Sequence, residues 1–273
     1  MNNVSKNFKR LALLAVLLIV MGIAGTAVIG HGNSRGVTTV EELVDVNHVN
    51  RVNISTENQR VRVFSTTEDQ VRIVSTGMPA DATLTAEVMN DVLEVEVRMP
   101  RHNIRIGVNF SDFRSLTDPP SLDVYLPGEI YDSIRVTTTN SRIEVSNVAA
   151  TEIEARSTNG RIEVSNLEAE EILLETTNAR VEIRDVVGDV RVRSSNGRID
   201  FNNPTIEQQV NLQTTNARIG ITLSEVPEDA DFSLSTTNGR TRLFGQDRTH
   251  QTFGDGTYEV RLQTTNGRIV VEN

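Results

Sequence analysis

The sequence contains no cysteine and no tryptophan, and only 4% of its 273 residues are aromatic. The absence of cysteine excludes disulfides, thiolate metal sites, a cysteine nucleophile and a lipidated N-terminal cysteine. With so few aromatic rings, the chain has little from which to build a stacking platform for sugars. The four histidines, His31, His48, His102 and His250, lie in separate regions without ligand spacing. We therefore predict no metal site and no cofactor.

Lysine is also scarce, because Lys6 and Lys9 are the only two in the chain. Together with Arg10 they precede the first apolar run, so residues 31–273 carry 24 basic against 37 acidic groups, a net charge of −13. A body this acidic repels nucleic acid and anionic lipid, since phosphate binding needs excess positive charge. We predict no nucleic-acid partner.

Residues 11–30, LALLAVLLIVMGIAGTAVIG, form a long uncharged run. A helix rises about 1.5 Å per residue and needs about 20 residues to span about 30 Å of hydrocarbon, so we predict a transmembrane anchor. The cations before it put residues 1–10 in the cytoplasm as a tail, with residues 31–37 as a linker and the C-terminal body outside. The alternative is a cleaved signal peptide and a secreted form, since Gly25 and Ala27 are placed like a cleavage site.

One phrase recurs seven times after residue 133, from TTTNSRIEV to QTTNGRIVV. Successive copies of its asparagine are 19, 19, 18, 20, 22 and 28 residues apart, a period in the range of solenoid repeats. An isolated echo of the phrase begins at Asn58. We call the repeated asparagines the asparagine column: Asn140, Asn159, Asn178, Asn196, Asn216, Asn238 and Asn266.

Apolar or small residues alternate with polar ones on both sides of each asparagine, as in Ile153 and Ala155 before Asn159. The pattern indicates a strand, a corner and a second strand in every copy. A chain of hairpins with type I′ turns is disfavoured, because Ala179 and Ala217 would need a left-handed backbone. We instead predict a parallel β-solenoid with coils of about 19 residues. In it, only the asparagine bends left-handed at the corner, and its amide hydrogen-bonds to the next coil.

The body divides into two parts by the regularity of this pattern. Residues 38–133 are strand-like without a fixed period, and we predict irregular opening coils and an N-terminal cap. Residues 134–273 hold the regular β-helix repeats. No cap is visible after residues 270–273, so we expect an open strand edge there and weak end-to-end self-association.

The repeated unit and the stretch LPGEIYDSIRVTTTNSRIEVSNV resemble the putative-adhesin domain family of bacterial envelope proteins, a class of unknown function that includes the LiaG-like proteins. The resemblance covers roughly residues 40–273. It implies a single-stranded right-handed parallel β-helix behind an N-terminal membrane segment, and it brings no catalytic residues. Members commonly have Ser-Ser-Gly-Asp at the corner, whereas this chain has Thr-Thr-Asn-Gly-Arg, which makes the corner row basic.

Acidic side chains in the repeats follow the outward strand positions, as on a solvated face. β-Helices also host polysaccharide lyases and hydrolases, which use clustered carboxylates or basic residues in a groove. We predict no catalytic residues and a protein that is not an enzyme. A carbohydrate-active β-helix enzyme acting on an envelope polysaccharide is the alternative.

An arginine stands two residues after each asparagine of the column, and an acidic residue follows two further on in the first four copies only. Stacked arginines about 4.8 Å apart repel one another unless they are paired. Gly220, Arg242 and Val270 take the acidic position in the last three copies, so these coils lack the neutralising charge. We define the arginine patch as Arg218, Arg240, Arg242 and Arg268, with Gln213 and Gln263 at its border.

The arginine patch is the candidate binding site for an anionic envelope polymer such as a teichoic acid, against the alternative of a merely solvated face. The sequence as a whole predicts a membrane-anchored, extracytoplasmic β-solenoid that is a non-catalytic, adhesin-like or stress-associated envelope protein. Its expected partners are the membrane, through residues 11–30, and an envelope polymer or another envelope protein.

Overall fold

The structure, a computed structural model, describes residues 38–45, 49–78, 82–98 and 119–273. The predicted tail, transmembrane anchor and linker, residues 1–37, lie outside the described residues. None of these described residues forms a helix that could span a lipid bilayer. The anchor therefore stays a prediction.

The described residues form 20 strands and no α-helix. The first seven are β1 (Thr38–Asp45), β2 (Arg51–Thr56), β3 (Arg60–Thr66), β4 (Gln70–Met78), β5 (Thr83–Met89), β6 (Val92–Arg98) and β7 (Ser121–Pro127). The next six are β8 (Ile130–Thr138), β9 (Ile143–Ser146), β10 (Ala149–Ser157), β11 (Ile162–Thr176), β12 (Val181–Ser194) and β13 (Ile199–Asn203). The last seven are β14 (Val210–Thr214), β15 (Ile219–Leu223), β16 (Ala230–Thr236), β17 (Thr241–Leu243), β18 (His250–Phe253), β19 (Tyr258–Thr264) and β20 (Ile269–Glu272).

The regular repeats stack in parallel, in two rows. One row holds the strands that precede each corner of the asparagine column, and Ile153 of β10 pairs there with Ile172 of β11. The other row holds the strands that follow the corner, and Ile162 of β11 pairs there with Val181 of β12. Because β11 and β12 run through both rows, the rows join into one nearly closed sheet. The all-β, solenoid-like fold is confirmed, and the chain of hairpins is excluded.

The core lies between the two rows. Alternate side chains of a strand point to opposite faces, so the apolar positions of both rows meet inside. Ile134, Ile153 and Ile172 stack from one row, Ile143 and Ile162 from the other, and all are fully buried. Burying each such side chain stabilises the fold by roughly 1.5–3 kcal/mol relative to exposure.

The corner at the asparagine column does not bend left-handed, so this part of the prediction is wrong. None of its seven asparagines has a positive φ. The left-handed residues lie instead at the second corner of the coil, where Asn147, Asn166 and Asp185 have φ of 56°, 52° and 52°. The first corner is stabilised differently. There, an inward-facing hydroxyl oxygen accepts a hydrogen bond from the backbone N–H of the residue three positions later. Gly160 N–H, for example, donates to Ser157 Oγ at 2.8 Å.

The order of coils in the stack differs from their order in the chain at both ends. Strand β2 lies between β6 and β8, and β3 lies between β7 and β9, all in parallel pairings. The echo at Asn58 therefore marks a regular coil inside the region that the sequence assigned to irregular coils. Outside it, β5 pairs antiparallel with β6, and β4 pairs antiparallel with both β7 and β1.

The last coil of the sequence is also interior. Strand β19 lies between β14 and β16, and β20 lies between β15 and β17. The expected open edge at residues 270–273 is therefore wrong. The outer edge belongs to β17 and β18, because β18 pairs antiparallel with β16 and covers it. The rings of Phe232, Phe244 and Phe253 pack edge to face there, with centroids 5.5–6.0 Å apart.

Candidate anion-binding site

The asparagine column forms a continuous ladder of side-chain amides on the exposed side of the first corner. Each Nδ2 donates to the Oδ1 of the neighbouring coil at 2.7–2.8 Å. The ladder begins at Asn58, which accepts from Asn140, and ends at Asn238, which donates to Asn266. All amides point the same way along the stack, so the ladder fixes the register of the residues that follow each asparagine.

Inward hydroxyls and close backbone contacts shape the same corner. Thr214 Oγ1 donates to the Gly197 carbonyl at 3.1 Å, and Gly197 N–H donates to Ser194 Oγ at 2.8 Å. A Cβ on Gly197 would lie 1.7 Å from the carbonyl oxygen of Ala179. The same close approach to a carbonyl oxygen of the adjacent coil occurs at Gly160, Gly239 and Gly267, so glycine is required after the asparagine in these four coils. The sequence signal was the alternation of Ser, Gly and Ala after Asn, which we did not interpret.

Backbone hydrogen bonds across the coils set the order of the arginines. Ile199 N–H donates to the Arg218 carbonyl at 3.1 Å, and Ile219 N–H donates to the Arg268 carbonyl at 3.0 Å. Ile269 N–H donates in turn to the Arg240 carbonyl at 2.9 Å. The stacking order is consequently 198, 218, 268 and 240, with Arg268 between two members of the arginine patch that precede it in the chain.

The arginines of the earlier coils are neutralised by the acidic column beside them. Arg180 lies 2.5 Å from Glu182 and 2.9 Å from Asp200, measured between nitrogen and oxygen, and Arg198 lies 2.6 Å from Asp200. Arg184 approaches Glu182 to 2.5 Å from the other side. Burial opposes ionisation of Glu182, but the two guanidinium charges outweigh it and hold the pKa of this carboxyl below its usual range.

The arginine patch lacks such partners. In register, Asp200 is followed by Gly220, Val270 and Arg242, so the acidic column stops after Asp200. Among the residues that the structure describes, no carboxylate lies within ion-pair distance of any patch arginine. Arg218 lies over Gly220, where a Cβ would be 3.4 Å from its Nη2.

Three of the four patch arginines surround a surface depression of about 550 Å³. Arg242 donates from Nη2 to the Gly245 carbonyl at 3.3 Å. Phe244 and Gly245 have φ of 46° and 76° and turn the chain back so that Leu243 pairs with Gln246. This turn was not predicted, although Gly245 was a signal for it. The depression is lined by Arg218, Arg242, Phe244, Gly245, Arg268, Val270, Val271, Glu272 and Asn273.

The remaining residues of the predicted site lie elsewhere. Arg240 is exposed on the same column but does not line the depression. Gln213 and Gln263 are neighbours on β14 and β19, in the row that precedes the corner, and do not line it either. The structure thus brings the arginines together and separates the two glutamines from them.

The most buried carboxylates elsewhere in the described residues are held by arginines. Asp123 receives Arg62 Nε at 2.6 Å, and Glu154 lies between Arg135 and Arg156. The described residues hold no group of three or more potential metal ligands. The carboxylates of these described sites are thus held in ion pairs, whereas the arginine patch has no described carboxylate within ion-pair distance.

Fold and site define an all-β, solenoid-like repeat protein with a group of arginines, three of them exposed, near one end of its stack. The chain belongs to the Toastrack DUF4097 family, whose model matches residues 49–172 and 130–272. The family resemblance stated from the sequence is thereby confirmed.

Solved structures similar to the chain have low sequence identity. A putative adhesin from Bacteroides fragilis is 12% identical, with a TM-score of 0.43, and the match covers 87% of this chain and 98% of that one. A putative cell adhesion protein from Clostridium sporogenes is 8% identical, with a TM-score of 0.40 and coverage of 86% and 98%. A search of curated proteins found no match.

Proposed function

We propose that this protein is a membrane-anchored, extracytoplasmic, adhesin-like protein that binds an anionic polymer of the cell envelope through the arginine patch. The observation that carries the proposal is a contrast along one column. Arg180 and Arg198 share the carboxylates of Glu182 and Asp200, whereas no described carboxylate lies within ion-pair distance of the patch arginines, including Glu272, which lines the same depression. Guanidinium groups without a carboxylate partner are ready to form bidentate hydrogen bonds with phosphate or carboxylate.

The net charge of the body supports a selective anion-binding site rather than non-specific binding of anions over the whole surface. The body carries a net charge of −13, so it repels polyanions everywhere except where arginines are concentrated. Binding should therefore be weak, local and sensitive to salt.

The proposed location follows from the sequence. Residues 11–30 would anchor the protein, with residues 1–10 in the cytoplasm and the solenoid outside. A right-handed, single-stranded winding is part of the proposal, supported by the parallel pairing of consecutive coils and by the right-handed preference of parallel crossovers. Protease added to intact cells should digest the solenoid, and full protection would contradict this orientation.

The test of the proposed function is co-sedimentation of the full-length protein, in detergent, with purified teichoic acid. The double variant Arg242→Gln/Arg268→Gln removes two charges from the depression and should lose about tenfold or more in affinity. The matched control is Arg191→Gln/Arg261→Gln, which removes two exposed charges from the other row. Equal binding by both double variants would contradict a role for the patch, and release of polymer fragments would favour the carbohydrate-active enzyme.

A further inference from the structure

The arginine patch has a defined direction and length. Arg218, Arg268 and Arg240 occupy equivalent positions in three consecutive coils, as the backbone hydrogen bonds between those coils require. Neighbouring strands lie about 4.8 Å apart, so the three residues span about 10 Å along the stack axis. Arg242 adds a fourth guanidinium beside them, two residues after Arg240. The charges therefore form a short line that crosses the strands.

Both ends of this line are bounded. On one side, Asp200 engages Arg180 and Arg198, so the column is neutral from that coil onward. On the other side, β17 is the last strand of its row among the described residues, and the chain turns back at once after it. Between the ends, Gly220 and Val270 present no charge to a ligand. The footprint of the site is thus three coils.

We propose that the arginine patch selects a linear chain of at least three consecutive phosphate groups that lies along the stack axis. This inference rests on the proposed function and gives it a ligand class. A phosphate offers several acceptor oxygens, so it can bridge two guanidinium groups about 4.8 Å apart. A single phosphate reaches two arginines at most, whereas a chain of three engages the whole line.

Like-charge repulsion within the line of arginines couples ligand binding to the stability of the coils at this end of the stack. Three guanidinium groups in adjacent coils repel one another across β15, β20 and β17. A bound polyphosphate replaces this repulsion with attraction, so it stabilises the contacts between these coils. The amides of Ile219 and Ile269, which bridge the coils through the Arg268 and Arg240 carbonyls, should then exchange more slowly.

The experiment is calorimetric titration of the full-length protein in detergent with orthophosphate, pyrophosphate, tripolyphosphate and longer linear polyphosphate. Affinity should rise about tenfold from pyrophosphate to tripolyphosphate, because one further charge-assisted contact forms. Longer chains should gain little, because the footprint is already filled. Hydrogen exchange at Ile219 and Ile269 should slow with tripolyphosphate and stay unchanged with orthophosphate.

Two variants locate the effect. Arg268→Gln removes the central guanidinium and should abolish the difference between pyrophosphate and tripolyphosphate. Gly220→Asp keeps every arginine but extends the acidic column beside Arg218, and it should lower tripolyphosphate affinity about tenfold or more. The matched control, Arg191→Gln, removes an exposed charge from the other row and should bind as wild type does.

The outcomes separate this inference from the proposed function. If teichoic acid binds through the patch but affinity is the same for orthophosphate and tripolyphosphate, length selection is wrong and the proposed function stands. Equal binding of triglutamate would show that charge alone is recognised and would overturn the phosphate assignment. If neither teichoic acid nor any phosphate binds, or if Gly220→Asp leaves both affinities unchanged, the two proposals fail together.

Discussion

At the scale of single residues, the corner at the asparagine column depends on glycines, because a Cβ at these positions would clash with the adjacent coil. Gly197 has no Cβ because the Ala179 carbonyl of the adjacent coil occupies that space. In the same way, a Cβ on Gly160 would lie 1.6 Å from the carbonyl oxygen of Ser141. Position and period of the corner could be predicted from the sequence. Its backbone could not, because a left-handed asparagine and a hydroxyl-closed turn leave the same Thr-Thr-Asn pattern.

The glycine requirement gives a direct test. Gly197→Ala should lower the free energy of unfolding by about 1–3 kcal/mol, because the new methyl group forces two coils apart in a packed stack. The converse change, Ala179→Gly, creates no clash and should cost about 1 kcal/mol or less. Urea unfolding followed by circular dichroism measures both. A larger loss for Ala179→Gly than for Gly197→Ala would contradict the corner geometry.

The asparagine ladder gives a second test at this scale. Asn178 accepts from Asn196 and donates to Asn159, so Asn178→Ala removes two hydrogen bonds and should cost about 1–2 kcal/mol. Asn238 is the end of the ladder and makes one such bond in the described part of the chain. Asn238→Ala should therefore cost about half as much, as measured by urea unfolding. Equal, negligible losses at both positions would show that the amides do not stabilise the stack.

At the scale of strands, the inward pattern of each repeat predicted where strands occur but not in which order they stack. The inward residues Val260 and Leu262 of β19 and Phe232 and Leu234 of β16 are all apolar, so the inward pattern alone does not indicate which strand covers β14. What decides the order is β18, which pairs with β16 and closes its outer edge with an aromatic cluster. Such an irregular strand carries no repeat signal, which is why the intercalated last coil was not predicted.

The acidic column that links β11, β12 and β13 makes stability depend on pH. The pKa of Glu182 is lowered in the folded protein, so its ionised form favours folding above its usual pKa of 4.5. This contribution should be lost as the pH falls below that value and through the lowered folded pKa. Glu182→Gln should therefore be less stable than wild type at pH 7, and the difference should shrink toward pH 3. Urea midpoints at both pH values measure this, and a constant difference would contradict the ion-pair account.

At the scale of the whole molecule, the residues of the arginine patch could be predicted from the sequence, but their spatial arrangement could not. The sequence identified arginines without acidic neighbours, because charge follows directly from residue type. The arrangement of three of them around one depression depends on the position of Arg268 between Arg218 and Arg240, which only the stacking order supplies. The glutamines were assigned to the same site because the sequence does not show which row faces which direction.

The free edge of the stack also belongs to this scale. Weak end-to-end self-association stays a prediction, and the edge available for it is formed by β17 and β18 rather than by residues 270–273. Both strands are short, which limits the pairing that they can offer another chain. Analytical ultracentrifugation of the full-length protein in detergent should show a weak monomer–dimer equilibrium. A strictly monomeric protein at high concentration would contradict it.

The central claim is that the last coil of the sequence inserts between its two predecessors and so assembles the arginine patch. The chain has no cysteine, so introduced pairs report on neighbours without background. Gln213 pairs with Gln263 and Gln263 pairs with Ser235, so the outer two are two strands apart. Adjacent strands allow a disulfide, whereas a separation of about 9.6 Å does not. Under mild oxidation, Gln213→Cys/Gln263→Cys should cross-link and Gln213→Cys/Ser235→Cys should not, and the opposite result would contradict the stacking order and the site built on it.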